Sequence, residues 1–265
     1  MYKIPVFDSL THPTIDSTWM HPDHFQSSGI GELLLQMDRN NISKALIVGV
    51  KGVGSYDEQK FINLIVPHSD KLIPIAFFDL DNKMNLKEAE EKLKKVKSLG
   101  YSGVKLHPRI SGFSLNNSLL VPVIKFANEI QLNVLICTYF YGKFPVGFKN
   151  NIDELANLLY SLNGAKLILM HGGTVRLLEV IELVRLYKNL LLDLSFTLCK
   201  YKGSSVDLDI QFAFDNFDKR ICVGSDFPEF TLDDLRQRFD YFSNNLSDEK
   251  AENIALNNIT NFLKF

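Results

Sequence analysis

The segment Arg220-Ile-Cys-Val-Gly-Ser-Asp226-Phe-Pro228 contains a short apolar run that leads to a carboxylate, Asp226. The acid lies where a strand gives way to a loop, and the next helix is predicted to begin later, near Thr231 or Asp233. A Ser-Asp pair before a helix can act as an N-cap, but the late helix start does not account for Asp226 in that role. In a barrel of parallel strands, catalytic side chains are displayed at such strand ends. The segment therefore favours a barrel with Asp226 at its mouth.

Short buried runs of this kind alternate with longer amphipathic runs along the whole chain. Most of the short runs are too apolar to alternate between polar and apolar residues, which is typical of parallel strands buried on both faces. The predicted strands are Pro5-Leu10, Lys44-Val50, Leu72-Phe78, Gly103-Leu106, Asn133-Thr138, Lys166-Met170, Leu190-Leu194 and Arg220-Val223.

Helical spacing separates these strands. The clearest helix runs from Asn85 to Leu99, because Asn85 can cap it, Glu88 completes a capping box and Gly100 stops it. The other predicted helices are Asp153-Ser161, Val175-Lys188, Thr231-Asn244 and Asp248-Leu263.

Strands that alternate with helices can close into a (β/α)₈ barrel or remain an open, doubly wound sheet. The sequence has neither the Gly-x-Gly-x-x-Gly nor the Gly-x-x-x-x-Gly-Lys-Ser motif of nucleotide-binding open sheets. A length of 265 residues suits one barrel, and no linker, repeat or low-complexity tract divides the chain. We therefore predict a single α/β domain over residues 1-265, a (β/α)₈ TIM barrel.

Composition narrows the class of partner. A formal net charge of -2 gives no reason to expect nucleic acid or an acidic membrane, and neither a signal peptide nor a long apolar span is found. Cys137, Cys199 and Cys222 form no CxxC pair or zinc-finger spacing and fit a reducing compartment. We expect a cytoplasmic protein that acts on a small molecule; whether it forms homo-oligomers is left open.

Titratable side chains collect at the carboxyl ends of the predicted strands. Each residue also has an explanation without any function, such as a loop histidine or a solvated lysine, but buried charges cost stability unless they are paired. Several strands that end in this way are therefore read as one site. The residues are Asp8 and His12 after the first strand, Lys105, His107 and Arg109 after the fourth, Cys137 and Thr138 after the fifth, His171 after the sixth, Ser195 after the seventh and Asp226 after the eighth.

Three of these segments are Gly-Val-Lys105-Leu-His107-Pro, Leu-Met-His171-Gly-Gly and Val-Gly-Ser-Asp226-Phe-Pro. They resemble the amidohydrolase superfamily, in the amidohydrolase-related branch that includes metal-dependent decarboxylases and pyrone dicarboxylate lactonases. The resemblance runs through the whole chain. It implies the same barrel and a site at the carboxyl ends of its strands.

The resemblance also implies a divalent metal, but two of the four expected ligand positions are changed. The family's first strand usually ends Asp-x-His-x-His, and here Leu10 replaces the first histidine while His12 keeps the second. Cys137 replaces the fifth-strand histidine, whereas His171 and Asp226 are kept.

Leucine cannot bind a metal, whereas a cysteine thiolate favours zinc over magnesium or manganese. The expected metal ligands are therefore His12, Cys137 and Asp226, with zinc as the metal, and His21 or His24 could also reach the site. A site without any metal is the alternative.

Lactonases of this branch work without a metal, and their eighth-strand aspartate is thought to activate water. On that resemblance Asp226 is the general base, while His171, Lys105 and Arg109 stabilise an oxyanion or hold a substrate carboxylate. His107 either assists them or bonds only to the backbone. The expected activity is hydrolysis of an ester, lactone or amide in a small anionic molecule. The alternatives are an inactive barrel that binds a ligand and a metal-dependent non-oxidative decarboxylase.

Overall fold

A computed structural model of the chain describes residues 4–21, 27–80, 83–141 and 151–264. Eight strands form one parallel sheet in chain order. They are β1 (Val6–Thr11), β2 (Ile42–Val48), β3 (Leu72–Phe78), β4 (Gly103–Leu106), β5 (Asn133–Cys137), β6 (Leu167–Met170), β7 (Leu190–Asp193) and β8 (Ile221–Cys222). Each predicted strand is confirmed, with ends displaced by at most two residues.

The sheet closes where the chain segment after β8 meets β1. Thr11 pairs with Phe227 in a parallel bridge, and the Asp226 amide donates to the Leu10 carbonyl at 3.0 Å. The predicted (β/α)₈ barrel is therefore confirmed.

Within the described residues, twelve α-helices connect or flank the strands. They are α1 (Ile30–Arg39), α2 (Glu58–Ile65), α3 (Leu86–Ser98), α4 (Pro108–Ser111), α5 (Leu120–Glu129), α6 (Ile152–Leu162), α7 (Leu177–Leu186), α8 (Thr197–Lys200), α9 (Val206–Asn216), α10 (Leu232–Ser243), α11 (Asp248–Glu252) and α12 (Asn258–Phe262). None of these helices is long and apolar enough to cross a bilayer.

Local signals explain the helix ends that the sequence predicts best. The Asn85 side chain accepts a hydrogen bond from the Glu88 amide at 3.1 Å, and the Glu88 carboxylate accepts one from the Asn85 amide at 2.9 Å. Together they form the predicted capping box of α3. Thr231 caps α10 in the same way. The cap of α10 is therefore Thr231, which removes the N-cap explanation for Asp226.

The predicted helix Asp248-Leu263 is wrong as a single α-helix. A π-helical turn, Asn253–Asn257, separates α11 from α12. Below the barrel, the Asn258 side chain donates to the Ile221 carbonyl at 2.8 Å, and Ile259 packs into the barrel interior. The segment thus follows the end of the barrel that lies opposite the strand ends described below.

The apolar core has two parts. One lies between the barrel and the helices. The other fills the barrel itself and includes Phe7, Leu10, Leu135 and Met170. Leu10 is fully buried there, so the residue at the family's first histidine position belongs to the apolar filling of the barrel.

Candidate active site

A cavity of about 340 Å³ opens at the carboxyl ends of the strands. The five residues predicted to act in catalysis or substrate binding all line it, namely Lys105, His107, Arg109, His171 and Asp226. His12 and His21 line it as well. Cys137 is buried at the end of β5 but is not among the described residues that form the cavity wall. His24 lies outside the described residues.

The chain turns sharply after β6, at the His-Gly-Gly motif. His171 and Thr174 have φ angles of 67° and 58°, and Gly172 and Gly173 between them have 56° and 72°. Residues other than glycine rarely adopt this left-handed backbone conformation, and each one that does so lowers the stability of the fold by roughly 1–3 kcal/mol. A Cβ atom on Gly173 would lie 2.4 Å from Val180 Cγ2. The two glycines therefore allow the turn that brings His171 to the cavity.

Buried polar side chains hold this turn in place. The Asp193 carboxylate, at the end of β7, accepts hydrogen bonds from the amides of His171 and Ser195, each at 3.1 Å. Thr138 Oγ1 accepts one from the Gly173 amide at 2.9 Å. Because these side chains satisfy backbone groups that no strand or helix satisfies, the strained turn is fixed in one conformation.

The hydrogen bonds of the His171 ring define its tautomer. Nδ1 lies 3.3 Å from the Ser195 carbonyl oxygen and 3.2 Å from Ser195 Oγ, whose proton goes to Asp193. A carbonyl oxygen only accepts hydrogen bonds, so Nδ1 carries the hydrogen. Burial lowers the pKa of His171 to about 3. The ring is therefore neutral at physiological pH, and its Nε2 is a hydrogen-bond acceptor.

His12 has the same tautomer for the same reason. Its Nδ1 lies 2.7 Å from the Val48 carbonyl oxygen and donates to it. Burial, followed by the nearby Lys105, lowers the pKa of His12. The neutral ring thus presents an Nε2 lone pair, which accepts a hydrogen bond from Lys105 Nζ at 3.1 Å. Trp19 stacks on the ring, with the two centroids 5.8 Å apart.

Lys105 lies inside the barrel mouth with only 1% of its surface exposed. Burial lowers the pKa of its amine, and the nearby Asp226 carboxylate acts in the opposite direction. A solvated loop lysine would show neither feature. Lys105 is thus a buried cation whose nearest described partner is His12.

Asp226 lies beside His12, with its Oδ1 3.4 Å from His12 Nε2, and has a left-handed backbone, with φ of 61°. Burial alone would raise the pKa of its carboxyl, but His171, His12 and Lys105 outweigh that effect and hold the pKa below its ordinary value. Its Oδ1 is buried and accepts no hydrogen bond from the described residues. The side chain is therefore an ionised carboxylate with a free oxygen at the cavity.

Arg109 and His107 form the rim above β4. His107 Nδ1 accepts a hydrogen bond from the Ile110 amide at 3.2 Å, so the hydrogen of its neutral ring is on Nε2. The predicted backbone bond of His107 is therefore present, and its N–H remains available as a donor. The Arg109 guanidinium lies 5.4 Å from the Tyr139 ring centroid, and its buried Nε finds no acceptor among the described residues.

Two further carboxylates, Asp8 and Asp193, lie fully buried below the cavity. Burial raises the pKa of Asp8 to about 7 and that of Asp193 to about 6. Asp8 accepts hydrogen bonds from the Ser225 amide at 2.9 Å and from Ser225 Oγ at 2.6 Å. Asp193 was not singled out from the sequence, although Leu190-Leu-Leu-Asp193 ends a strand in an acid just as the β8 segment does. These residues support the site from below.

The described residues at the cavity do not form the divalent-metal site that the resemblance implies. Among the described residues, no three His, Cys, Asp or Glu side chains are grouped closely enough to hold a metal ion. Lys105 Nζ faces the His12 nitrogen that a metal would use. Cys137, the third expected ligand, is not among the described residues that line the cavity. The donors that the structure describes therefore do not fit a divalent metal.

The architecture is shared with solved structures of low sequence identity. An uncharacterised TIM-barrel protein from Bordetella bronchiseptica superimposes with a TM-score of 0.81 at 17% identity, covering 98% of both chains. The 5-carboxyvanillate decarboxylase of Sphingomonas paucimobilis gives 0.72 at 12% identity, covering 98% of this chain and 99% of its own. The 2,6-dihydroxybenzoate decarboxylase of Rhizobium gives 0.70 at 13% identity, with the same coverage. At these identities the likeness concerns the fold alone.

No curated protein sequence is significantly similar to the chain. The sequence model of the amidohydrolase family matches residues 50–265, which include all the cavity residues from β4 to β8. The chain therefore belongs to the amidohydrolase family, in the branch that the strand-end motifs resemble.

Proposed function

We propose that the protein is a hydrolase that cleaves an ester, lactone or amide bond in a small anionic molecule, using water activated by Asp226. The observation that carries this proposal is the free Oδ1 of Asp226, a buried and ionised acceptor at the wall of a cavity large enough for a small molecule. A carboxylate in that position can take a proton from a water molecule that attacks a carbonyl carbon.

The surrounding groups divide into acceptors and donors. Asp226 and the Nε2 atoms of His171 and His12 accept hydrogen bonds, which suits the water molecule. Lys105, Arg109 and the N–H of His107 donate, which suits a carbonyl oxygen that gains negative charge. Because Nε2 of His171 is an acceptor, we assign this residue to binding the attacking water. Stabilisation of the oxyanion is then assigned to Lys105, Arg109 and His107.

The proposed reaction conserves its protons. As the water oxygen bonds to the carbonyl carbon, Asp226 accepts one water proton, and the carbonyl oxygen becomes an oxyanion beside the donors. When the tetrahedral intermediate collapses, the bond to the leaving oxygen or nitrogen breaks, and Asp226 returns the proton to that atom. The low pKa keeps Asp226 ionised before substrate binds, and the negative charge of an incoming substrate raises the pKa and strengthens the base.

The preference for an anion is inferred from the charges at the cavity. Lys105, Arg109 and Lys200 line it, opposed by Asp226 and Glu229. Glu229 accepts a hydrogen bond from Trp19 Nε1 at 2.7 Å, whereas Arg109 Nε has no acceptor among the described residues. A substrate carboxylate would supply that acceptor.

The test is turnover of a panel of carboxylated and uncharged lactones and esters. We expect faster turnover of the carboxylated compounds and a loss of at least about 100-fold in kcat for Asp226→Asn, as for removal of a general base. Asp70→Asn, an equally conservative change at an exposed acid outside the cavity lining, is the matched control. Full activity of Asp226→Asn would contradict the proposal, as would a preference for uncharged substrates.

The same panel separates the alternatives. Two structural relatives are decarboxylases by name, so aromatic carboxylic acids are included and released carbon dioxide is measured. Release of carbon dioxide without hydrolysis would replace the proposal with a decarboxylase. Tight binding without turnover would favour a ligand-binding barrel.

A further inference from the structure

We propose that the Lys105 side chain is a fixed internal cation that takes the position of the divalent metal and prevents a metal from binding. The proposal rests on the same site as the proposed hydrolysis. It concerns metal binding, however, which can be measured without any substrate.

The first step of the argument is the direction of the His12 lone pair. Nδ1 donates to the Val48 carbonyl oxygen at 2.7 Å, so the neutral ring can offer a ligand only its Nε2 lone pair. A metal-binding histidine is oriented by this kind of backbone hydrogen bond. His12 is therefore held as a metal ligand would be held, but its Nε2 faces Lys105 Nζ at 3.1 Å.

The second step is the contact between His12 and Asp226. Nε2 lies 3.4 Å from Asp226 Oδ1, and neither atom carries a hydrogen when the ring is neutral and the acid ionised. Two acceptors at this distance repel each other unless a nearby positive charge offsets the repulsion. In metal sites the metal supplies that charge. Here Lys105 supplies it, because its Nζ contacts His12 Nε2 at 3.1 Å and interacts electrostatically with Asp226.

The third step is the burial of Lys105. Its exposure is 1%, so the amine lies within the barrel mouth, beside the groups that would bind an ion, and not in solvent. Leu10, which is fully buried in the barrel interior, cannot supply the missing ligand. The presence of Lys105 and of Leu10 is therefore explained together, because a site that contains its own cation does not need a full set of metal ligands.

Zinc content is the direct test. The wild-type protein, incubated with Zn²⁺ and dialysed, is expected to retain none at this site. Lys105→Ala is expected to retain about one zinc ion per chain, because the space left by the lysine lets His12, Asp226 and His171 close around an ion, which they do not do in the wild type. Lys105→Arg keeps the positive charge and is expected to retain none.

Two controls separate the site from general effects. Lys200→Ala removes another cation that lines the same cavity and should gain no zinc. Adding His12→Ala to Lys105→Ala should abolish the retained zinc. Circular dichroism shows whether each variant is folded. If Lys105→Ala does not fold, Lys105→Met, which keeps the length of the side chain, replaces it with the same expectation.

The proposal is overturned if the wild type retains stoichiometric zinc that His12→Ala removes, or if no folded variant without the charge gains zinc. Zinc results as expected, together with no turnover on the lactone and ester panel, would leave Lys105 as the internal cation and reject the hydrolase. Turnover of the panel by a wild type that holds zinc would support the hydrolase and reject Lys105 as the internal cation.

Discussion

Asp193 does not line the cavity, yet it determines how His171 meets it. One of its carboxylate oxygens accepts from the His171 and Ser195 amides and from Ser195 Oγ, which in turn contacts the His171 ring. The other accepts from Ser9 Oγ. Asp193 is thus a positioning residue, because it acts on the cavity only through its neighbours.

We therefore expect Asp193→Ala to destabilise the protein by roughly 2–4 kcal/mol, because buried amide donors would lose their acceptor. Asp193→Asn keeps one acceptor oxygen and should recover most of that loss. Urea unfolding measures the free energies. For active enzyme, kcat should fall in the alanine variant with little change in KM, and asparagine should rescue it. Equal stability of the alanine variant and the wild type would refute this role.

Reasoning from strand ends predicts which residues meet at the cavity better than it predicts what each one does. Lys105, His107, Arg109, His171 and Asp226 follow apolar runs directly, and the barrel brings them together. Their tautomers and pairings depend on backbone carbonyls from other strands, which no local pattern encodes. Trp19 was missed for a similar reason, since its loop carries no motif and its partners come from elsewhere in the chain.

At the scale of the element, the turn His171–Arg176 shows how a short motif sets the shape of the site. One of its left-handed positions, Gly173, must be glycine because a side chain there would collide with α7. An added Cβ atom would lie 2.4 Å from Val180 Cγ2. We expect Gly173→Ala to destabilise the protein by about 2–4 kcal/mol, through backbone strain and steric overlap together.

Gly52→Ala is the matched control. Gly52 has a φ of 77°, close to the 72° of Gly173, but an added Cβ meets no described atom within 4 Å. Strain alone should cost it roughly 1 kcal/mol. Thermal or urea unfolding compares the two variants, and equal losses would mean that the steric overlap is relieved at no cost.

Helices were predicted unevenly, and the reasons lie in their patterns. α3 has both caps and a clear apolar face, so its bounds follow from the sequence. α9 begins Val206-Asp-Leu-Asp-Ile210, an alternation of apolar and acidic residues that is typical of a strand, so the local spacing does not predict this helix. The π turn between α11 and α12 precedes Asn258, whose side chain contacts β8, and local spacing reveals neither feature.

For the whole molecule, the closed ring was the part of the fold that apolar runs alone left open. An open sheet has the same strands, and what distinguishes the barrel is the pairing of Thr11 with Phe227 from opposite ends of the chain. The absence of nucleotide-binding motifs, together with the polar strand ends, favoured the barrel. The same closure brings the buried acids Asp8 and Asp193 close enough for Asp193 to raise the pKa of Asp8.

The buried Asp8 makes the stability of the whole fold depend on pH. Burial raises its pKa from 3.8 to about 7, so the folded protein binds this proton more tightly than the unfolded chain. The stabilisation from the proton is complete below pH 3.8 and is lost as the pH rises through about 7. We expect the free energy of unfolding of the wild type, relative to Asp8→Asn, to fall over this range by up to about 1.4 kcal/mol per pH unit.

Urea unfolding at several pH values measures this difference. A difference between wild type and Asp8→Asn that stays constant from pH 4 to pH 7 would mean that Asp8 is not protonated in the folded protein.

Trp19 is the only tryptophan in the chain. Its indole stacks against His12 and donates a hydrogen bond to Glu229. Only 5% of the residue is exposed to solvent. Fluorescence excited at wavelengths that tryptophan absorbs and the nine tyrosines do not therefore originates at this one position. The molecule carries its own optical probe, and the arrival of a compound at the strand ends can be followed by light even when no chemistry takes place.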